Sequence, residues 1–177
     1  MQLSLTRGNG FPPAPQALRR DLQRGETDDL WRRRAIINVS PLGMASMTAV
    51  SLRQTGIIGH LPDPPFGDFD SDRVNSSDTA YKFGVPDGTV SLASLAANIP
   101  LAAFGDARRA REQPWVPIIA AGKAAIEAAV AGWYFYQMPA KEKAWCGYCI
   151  TGALANFAIF ALTLPEAGKA INVLRGK

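Results

Sequence analysis

Two cysteines three positions apart are the residues of this chain whose types and spacing best fit a chemical role. Cys146 and Cys149 are the only cysteines among 177 residues, so a disulfide within the chain can only join them to each other. On the first turn of a helix, this spacing brings both sulfurs to one side, within bonding distance. The positive end of the helix dipole then favours a thiolate on the sulfur nearer the helix start. The spacing therefore predicts a redox-active dithiol.

Other roles for the pair have less support. A zinc site would need two more ligands, and the rest of the chain offers only His60. Covalent haem attachment would need a histidine after the second cysteine, where Ile150 stands. We therefore expect no metal. One alternative stays open, in which both cysteines are inert thiols buried in a membrane helix, because free cysteine is a common core residue.

The cysteines lie at the front edge of an uncharged run of 21 residues, from Ala144 to Leu164. A helix needs about 20 apolar residues to cross the hydrocarbon of a bilayer. With the apolar stretches earlier in the chain, this run predicts an all-α polytopic membrane protein, a bundle of four transmembrane helices. The predicted spans are about 35–58, 88–105, 114–138 and 144–164. A mean hydropathy of −0.02 leaves a soluble, alanine-rich helical protein as the alternative.

The longest polar stretch between apolar runs is Gly59 to Asp87, which contains six aspartates. It is too long for a simple connection, so we expect a functional outer loop after the first transmembrane helix. Arginines at 32–34 and 108–111 fall on one side of the predicted membrane, and the acidic loop falls on the other. The positive-inside tendency then predicts cytoplasmic termini and an outward-facing cysteine pair.

These assignments predict three regions in an inner (cytoplasmic) membrane protein. Residues 1–33 form a cytoplasmic tail, either disordered or lying on the surface, residues 34–167 form the membrane domain, and residues 168–177 form a cytoplasmic tail. The net charge of +4 does not indicate nucleic acid, since seven of the nineteen basic residues precede residue 35, beside an apolar segment. The expected surroundings are therefore the lipid bilayer.

Membrane location also suggests the electron acceptor. Acceptors that dissolve in a bilayer are quinones, so the natural reaction for an outward-facing dithiol is electron transfer to a membrane quinone. Lys123 and Glu127 lie inside the third predicted span, four residues apart and so on one helix face. Ionisable groups at that depth are rare, and we predict a structural pair in which the two charges neutralise each other.

Two blocks of sequence resemble the vitamin K epoxide reductase family, whose bacterial members pass electrons from thiol partners to quinones. The first is CGYCITGALAN, in which Thr151 and Asn156 follow the cysteines at a familiar spacing. The second is SDRVNSSDTAYKFGVP, from Ser71 to Pro86. The resemblance covers roughly residues 34–166, and it implies a four-helix bundle around the quinone, capped by the loop after the first span.

The resemblance also implies roles for single residues. Cys146 and Cys149 would form the active-site pair, with Cys149 nearer to the quinone and Cys146 exchanging with the electron donor, a periplasmic thioredoxin-like protein. The quinone would be of the ubiquinone or menaquinone type. Ser77 and Phe83 would belong to the cap, and with Asp87 and Asn156 they make up the expected quinone-binding set.

Three departures from the family pattern stand out. Family members usually carry a second cysteine pair in the first outer loop, which has no cysteine here, and Ser71 stands where one member is expected. Ala153 replaces an aromatic hydroxyl, and Asp87 lies where an asparagine often contacts the quinone. The first departure implies that a partner must reach Cys146 directly. It also motivates an alternative function, a non-enzymatic membrane scaffold that keeps the fold without turnover.

Overall fold

The computed structural model describes residues 14–176, which fold as helices joined by turns. Within this range, extended pairing is limited to one bridge between Phe69 and Trp145, in agreement with the predicted all-α class. Residues 1–13 of the predicted tail lie outside the described range. The helices are α1 (Pro15–Arg24), α2 (Asp28–Gln54), α3 (Ser71–Asn75), α4 (Asp87–Ala103), α5 (Arg109–Glu112), α6 (Trp115–Gln137), a π-helical turn (Met138–Glu142) and α7 (Gly147–Leu174).

Three of the described helices are long and apolar enough to cross a membrane: α2, α6 with its π-helical turn, and α7. They correspond to the predicted spans at 35–58, 114–138 and 144–164. Large apolar side chains on them stay exposed, among them Leu42, Ile126 and Leu154, as expected of helices whose outer faces meet lipid. The remaining predicted span, 88–105, falls on α4, which has 17 residues. That corresponds to about 25 Å of helix, less than the roughly 30 Å of hydrocarbon in a bilayer.

Both α2 and α7 extend beyond the predicted spans because their polar ends are also helical. The Thr27 side chain accepts a hydrogen bond from the backbone of Leu30 and caps α2, so this helix begins in the charged stretch before Ala35. Arg34 then ties α1 to α2 by donating to the carbonyls of Leu22, at 2.9 Å, and Gly25, at 2.7 Å. Part of the sequence expected as a tail is therefore helical and in contact with α2.

The core lies where α2 packs against α4 and α7, while α6 packs mainly on α7. Gly43 makes the closest approach: a Cβ atom there would lie 2.9 Å from the Cβ of Ala155 and 3.0 Å from a methyl group of Leu95. Only a residue without a side chain allows three helices to come this near. The buried apolar cluster consists of Ile36, Met47, Val50, Leu95, Ala102, Ala124, Ala155 and Ile159.

A buried polar cluster joins the helices at the end of the bundle remote from the cysteines, roughly 30 Å along α7. The guanidinium of Arg33, 2% exposed, donates to the four carbonyls at residues 102, 104, 105 and 106. Arg109 donates to both carboxylate oxygens of Glu166, at 2.7 and 2.6 Å. Arg33 belongs to the arginines that predict the membrane orientation, and the structure shows that it also caps the carboxyl end of α4.

Residues 55–86, the α2–α4 segment, are fastened at several points near the cysteines. Asp72 accepts from Arg53 Nε at 2.6 Å and contacts His60 Nδ1 at 2.5 Å, and the Tyr81 hydroxyl donates to the carbonyl of Gln54. Backbone hydrogen bonds join both neighbours of Phe69 to Trp145. The segment is thereby held against the end of α2 and the residue next to Cys146.

Candidate active site

The two cysteines form a disulfide at the start of α7. Cys146 is the N-cap residue, and its sulfur accepts a hydrogen bond from the backbone N–H of Cys149 at 3.0 Å. The unpaired N–H groups of a helix start make this a favourable position for negative charge. The local sequence explains the geometry, because a helix that begins directly after Cys146 places the sulfur of Cys149 one turn away, facing the first.

Cys146 is completely buried beneath α3. The side chain of Asn75, 2% exposed, donates from Nδ2 to the Cys146 sulfur at 3.2 Å, and its Oδ1 lies 3.6 Å from the Cys149 sulfur. Nδ2 also donates to the carbonyl of Ser71 at 2.7 Å, which defines the orientation of the amide group. A single side chain from the α2–α4 segment thus contacts both sulfurs.

Cys149, by contrast, lines a cavity of about 270 Å³ among α2, α4, α6, α7 and the α2–α4 segment. Its walls are mostly apolar, with contributions from Met47, Val50 and Val130. The polar side chains on the wall include Asn75, Ser77, Thr79, Asp87, Ser91, Ser94, Glu127, Tyr134, Gln137, Glu142 and Asn156. A chamber with mostly apolar walls and polar side chains placed among them, next to a reactive sulfur, suits a flat, uncharged organic molecule.

The structure brings most of the predicted site residues together at this cavity. Cys149, Ser77, Asp87 and Asn156 all line it, and Cys146 lies directly behind Cys149. Phe83 is placed differently, on the surface of the α2–α4 segment, with 77% of its area exposed. The FGVP sequence therefore forms part of the covering segment, while its phenyl ring points away from the cavity lining.

Two polar groups on the wall have unmet or altered hydrogen-bonding capacity. The Oδ1 atom of Asn156 is buried and has no hydrogen-bond partner among residues 14–176. Asp87, immediately before the predicted second span, accepts from Gln54 Nε2 at 2.6 Å. Burial raises the pKa of its carboxyl group, although the bond from Gln54 acts in the opposite direction. The cavity thus presents one free acceptor and one carboxyl group with an increased tendency to be protonated.

The lining of this cavity fits a quinone. The apolar walls suit its ring, the carboxyl group of Asp87 can donate to a quinone carbonyl when it is protonated, and the orphaned oxygen of Asn156 can accept from a hydroquinone hydroxyl. Cys149 would hold the reacting sulfur against the ring, which is where the dithiol would supply electrons.

Asn75 was not among the site residues predicted from sequence. It lies inside the block from Ser71 to Pro86, but no spacing rule relates it to cysteines 71 and 74 positions away. Glu127 was considered only for its charge. Its partners are Lys123 at 2.5 Å, the hydroxyl of Ser94 and the amide of Asn98. The predicted pair with Lys123 is present, and Glu127 also lines the cavity.

Fold and site together define a class: a helical membrane protein whose cysteine pair forms a disulfide beside an apolar cavity. The model of the vitamin K epoxide reductase family matches residues 34–164, well over half of the chain, and the chain belongs to that family. It is accordingly a membrane oxidoreductase related to quinone chemistry, as the resemblance in the two sequence blocks predicted. Searches of curated proteins and of solved structures returned no match.

Proposed function

We propose that this protein is a membrane thiol:quinone oxidoreductase that passes electrons from a thioredoxin-like dithiol outside the cell membrane, through Cys146 and Cys149, to a quinone. The observation that carries the proposal is the position of the disulfide, with one sulfur on the wall of a quinone-sized apolar cavity and the other behind it. Family membership supports the reaction class.

The chemistry divides between the two sulfurs. A donor thiolate attacks Cys146, the S–S bond breaks, and Cys149 leaves as a thiolate. The donor's second thiolate then attacks the donor's own sulfur, which releases Cys146 and oxidises the donor to a disulfide. Transfer of two electrons and two protons to a quinone in the cavity regenerates the Cys146–Cys149 bond and yields the hydroquinone. Asp87 and Asn156 orient the ring by hydrogen bonds.

The proposed topology follows the charge distribution. The part of α4 from residue 88 onward serves as a fourth, short span beside α2, α6 and α7, and both chain termini are cytoplasmic. The α2–α4 segment and the cysteine pair then face the periplasm, and residues 34–167 form the membrane domain. Three long apolar helices support this arrangement, and buried hydrogen bonds from Arg33 to the end of α4 give that helix a satisfied terminus inside the bundle.

A reoxidation experiment tests the proposed function. The detergent-solubilised protein is reduced, freed of reductant without oxygen, and mixed with ubiquinone-1 or with a short-chain menaquinone. Thiols are counted by maleimide gel shift, and hydroquinone is followed by absorbance. We expect the loss of two thiols per hydroquinone formed. Cys149→Ser serves as the matched control, because it keeps the cavity and removes the disulfide. If the thiols of the folded protein persist with both quinones, the proposal is wrong.

A second candidate function is a non-enzymatic membrane scaffold, favoured by the absence of cysteines between Gly59 and Asp87. Under that hypothesis the fold matters and turnover does not. Full complementation of a gene deletion by a Cys149→Ala variant would support the scaffold and contradict the oxidoreductase. Loss of complementation with normal membrane levels of the variant would have the opposite meaning.

A further inference from the structure

We infer that Asn75 is a catalytic residue that makes the two sulfurs unequal in the reduced enzyme, holding negative charge on Cys146 and a proton on Cys149. The inference deepens the proposed function and rests on its thiol chemistry. It concerns an amide group that touches both reacting atoms from α3, outside the segment that carries the cysteines.

The hydrogen bonds of Asn75 determine which sulfur faces its amide N–H group and which faces its carbonyl oxygen. Nδ2 of Asn75 donates to the carbonyl of Ser71 at 2.7 Å, so the amide cannot be reversed without placing its oxygen against that carbonyl. In this orientation the N–H group faces Cys146 at 3.2 Å, and Oδ1 faces Cys149 at 3.6 Å. A donor stabilises a thiolate, and an acceptor stabilises a thiol S–H.

Cys146 receives a second donor from the main chain. The backbone N–H of Cys149 points at its sulfur at 3.0 Å, and the first turn of α7 adds the positive end of its dipole. A thiolate on Cys146 would therefore have two N–H donors and no exposed surface. Two hydrogen bonds replace the water that a buried anion loses.

The charged groups around the pair leave this inequality in place. The cavity beside Cys149 is lined by the carboxyl groups of Asp87, Glu127 and Glu142 and, among the described residues, by no lysine or arginine. Lys123 is paired with Glu127, and Lys141 lies 3.8 Å from Glu142, so both lysines are engaged by carboxylates and do not favour a thiolate on Cys149.

Around Cys146, α3 carries two charged side chains besides its capping aspartate. Asp72 is paired with Arg53 and His60, while Arg73 is exposed. Asp63 binds the backbone N–H and the hydroxyl of Ser71. These carboxylates are thus each held by other partners, and none is bonded to Asn75 among the described residues.

Unequal sulfurs suit both halves of the reaction. Release of the oxidised donor expels Cys146 as a thiolate, and a stabilised thiolate leaves faster. Reduction of the disulfide by a donor dithiol produces the Cys146 thiolate, the Cys149 thiol and one free proton. Reoxidation consumes these three and a quinone to give the disulfide and the hydroquinone, so electrons and protons balance. The proton held on Cys149 lies at the cavity wall, where it can pass to the quinone carbonyl and leave the Cys149 thiolate that reacts with the ring.

Thiolate titration of Cys146 tests the inference. The full-length Cys149→Ser variant in detergent carries one thiol, and serine can still donate to Asn75. Its ultraviolet thiolate absorbance is measured against pH, with the variant lacking both cysteines as the blank. We expect a midpoint clearly below about 8.5, the value of a free cysteine. Adding Asn75→Ala, which removes the N–H donor and adds no charge, should raise the midpoint by about 1 to 2 pH units.

Matched controls separate this effect from a general disturbance. Ser76→Ala, at an exposed position next to Asn75, should leave the midpoint unchanged. If Asn75→Ala does not fold, Asn75→Leu, which is close to asparagine in size, removes the same donor without a charge and should give the same direction of shift. A midpoint at or above that of free cysteine in the Cys149→Ser protein overturns the inference without any Asn75 variant, and so does an unchanged midpoint in a folded Asn75 variant. The titration uses neither donor nor quinone, so its failure leaves the proposed function standing.

Discussion

At the scale of single residues, the chemical group at position 87 decides how the proposed quinone contact responds to pH. An asparagine amide can donate a hydrogen bond at any pH, whereas a carboxyl group donates only when protonated. Burial raises the pKa of Asp87, so the carboxyl group stays protonated to higher pH than an exposed aspartate. Its usefulness as a donor to a quinone carbonyl therefore depends on pH.

Asp87→Asn should remove this dependence. In the wild-type protein, the KM for ubiquinone-1 should rise as pH increases through the raised pKa of Asp87, because the donor is lost. In the variant the KM should stay nearly constant from mildly acidic to mildly alkaline pH. The free energy of unfolding changes in the same direction. Because the pKa of Asp87 is raised in the folded state, this group stabilises the fold at pH values below its unfolded-state pKa. The contribution is lost as pH rises through the folded-state pKa.

The matched control for this prediction is Asp68→Asn, since Asp68 is an exposed aspartate of the α2–α4 segment. It should keep the wild-type pH profile. An Asp87→Asn protein with an unchanged alkaline rise in KM would show that Asp87 does not contact the quinone.

At the scale of helices, the position of Cys149 depends on how closely α2, α4 and α7 approach one another. Gly43 sets that distance, because its Cα faces Ala155 and Leu95 with no room for a side chain. Gly152 does the same on α7, where a Cβ would lie 2.8 Å from the terminal methyl of Met47. Met47 is flexible and can move, whereas the Cβ of Ala155 cannot move without its helix.

Gly43→Ala should therefore destabilise the bundle by about 1 to 3 kcal/mol through overpacking. The matched control is Gly122→Ala on α6, where an added Cβ meets no atom within 4 Å. That change should be neutral or stabilising by up to about 1 kcal/mol, since alanine favours a helix more than glycine does. Thermal unfolding in detergent measures both variants. Equal transition temperatures for the two variants would contradict the close approach at Gly43.

At the scale of the whole molecule, the α2–α4 segment closes over Cys146, the cysteine that meets the external donor under the proposed function. Cys146 is fully buried, so a protein dithiol can reach it only when the segment opens. Asp72 is one of the residues that hold the segment closed, because its carboxylate contacts Arg53, His60 and the backbone N–H of Leu61. Burial acts to raise the pKa of Asp72, but these hydrogen bonds outweigh it and hold the pKa below its ordinary value of 3.8.

A lowered folded-state pKa means that Asp72 stabilises the closed segment above pH 3.8 and loses this contribution as pH falls through the folded-state value. At neutral pH the full contribution of Asp72 to the closed segment is present. Asp72→Asn should therefore speed reduction of the Cys146–Cys149 disulfide by a reduced thioredoxin-like protein about threefold to tenfold, as expected for loss of roughly 1 kcal/mol of closure.

A small reductant and a variant at an exposed aspartate serve as controls for this experiment. Reduction by a small phosphine should change less than reduction by the protein dithiol, since a small molecule needs a smaller opening. Asp68→Asn should leave both rates unchanged. If the Asp72 variant is reduced by the protein dithiol at the wild-type rate, opening of this segment does not limit access to Cys146.

Much of this protein could be predicted from sequence because the relevant signals are local. The apolar run from Ala144 to Leu164 indicates a membrane helix, and the cysteine spacing indicates two facing sulfurs. Family blocks led to Asp87, Ser77 and Asn156, which line the cavity. Phe83 shows the limit of such blocks, since a motif does not say which side of a loop each side chain occupies.

The sequence by itself determined the helical class and the cysteine pair, because the length of an apolar run and the spacing of two cysteines are properties of one continuous stretch of chain. Two blocks of sequence likewise indicated the family. Tertiary structure alone decided that Cys146 is buried while Cys149 faces a cavity, and that Asn75 touches both sulfurs from 71 and 74 positions away. Those contacts depend on the position of α3 relative to the start of α7. The packing of the helices and of the α2–α4 segment determines this position, and no local sequence pattern predicts it.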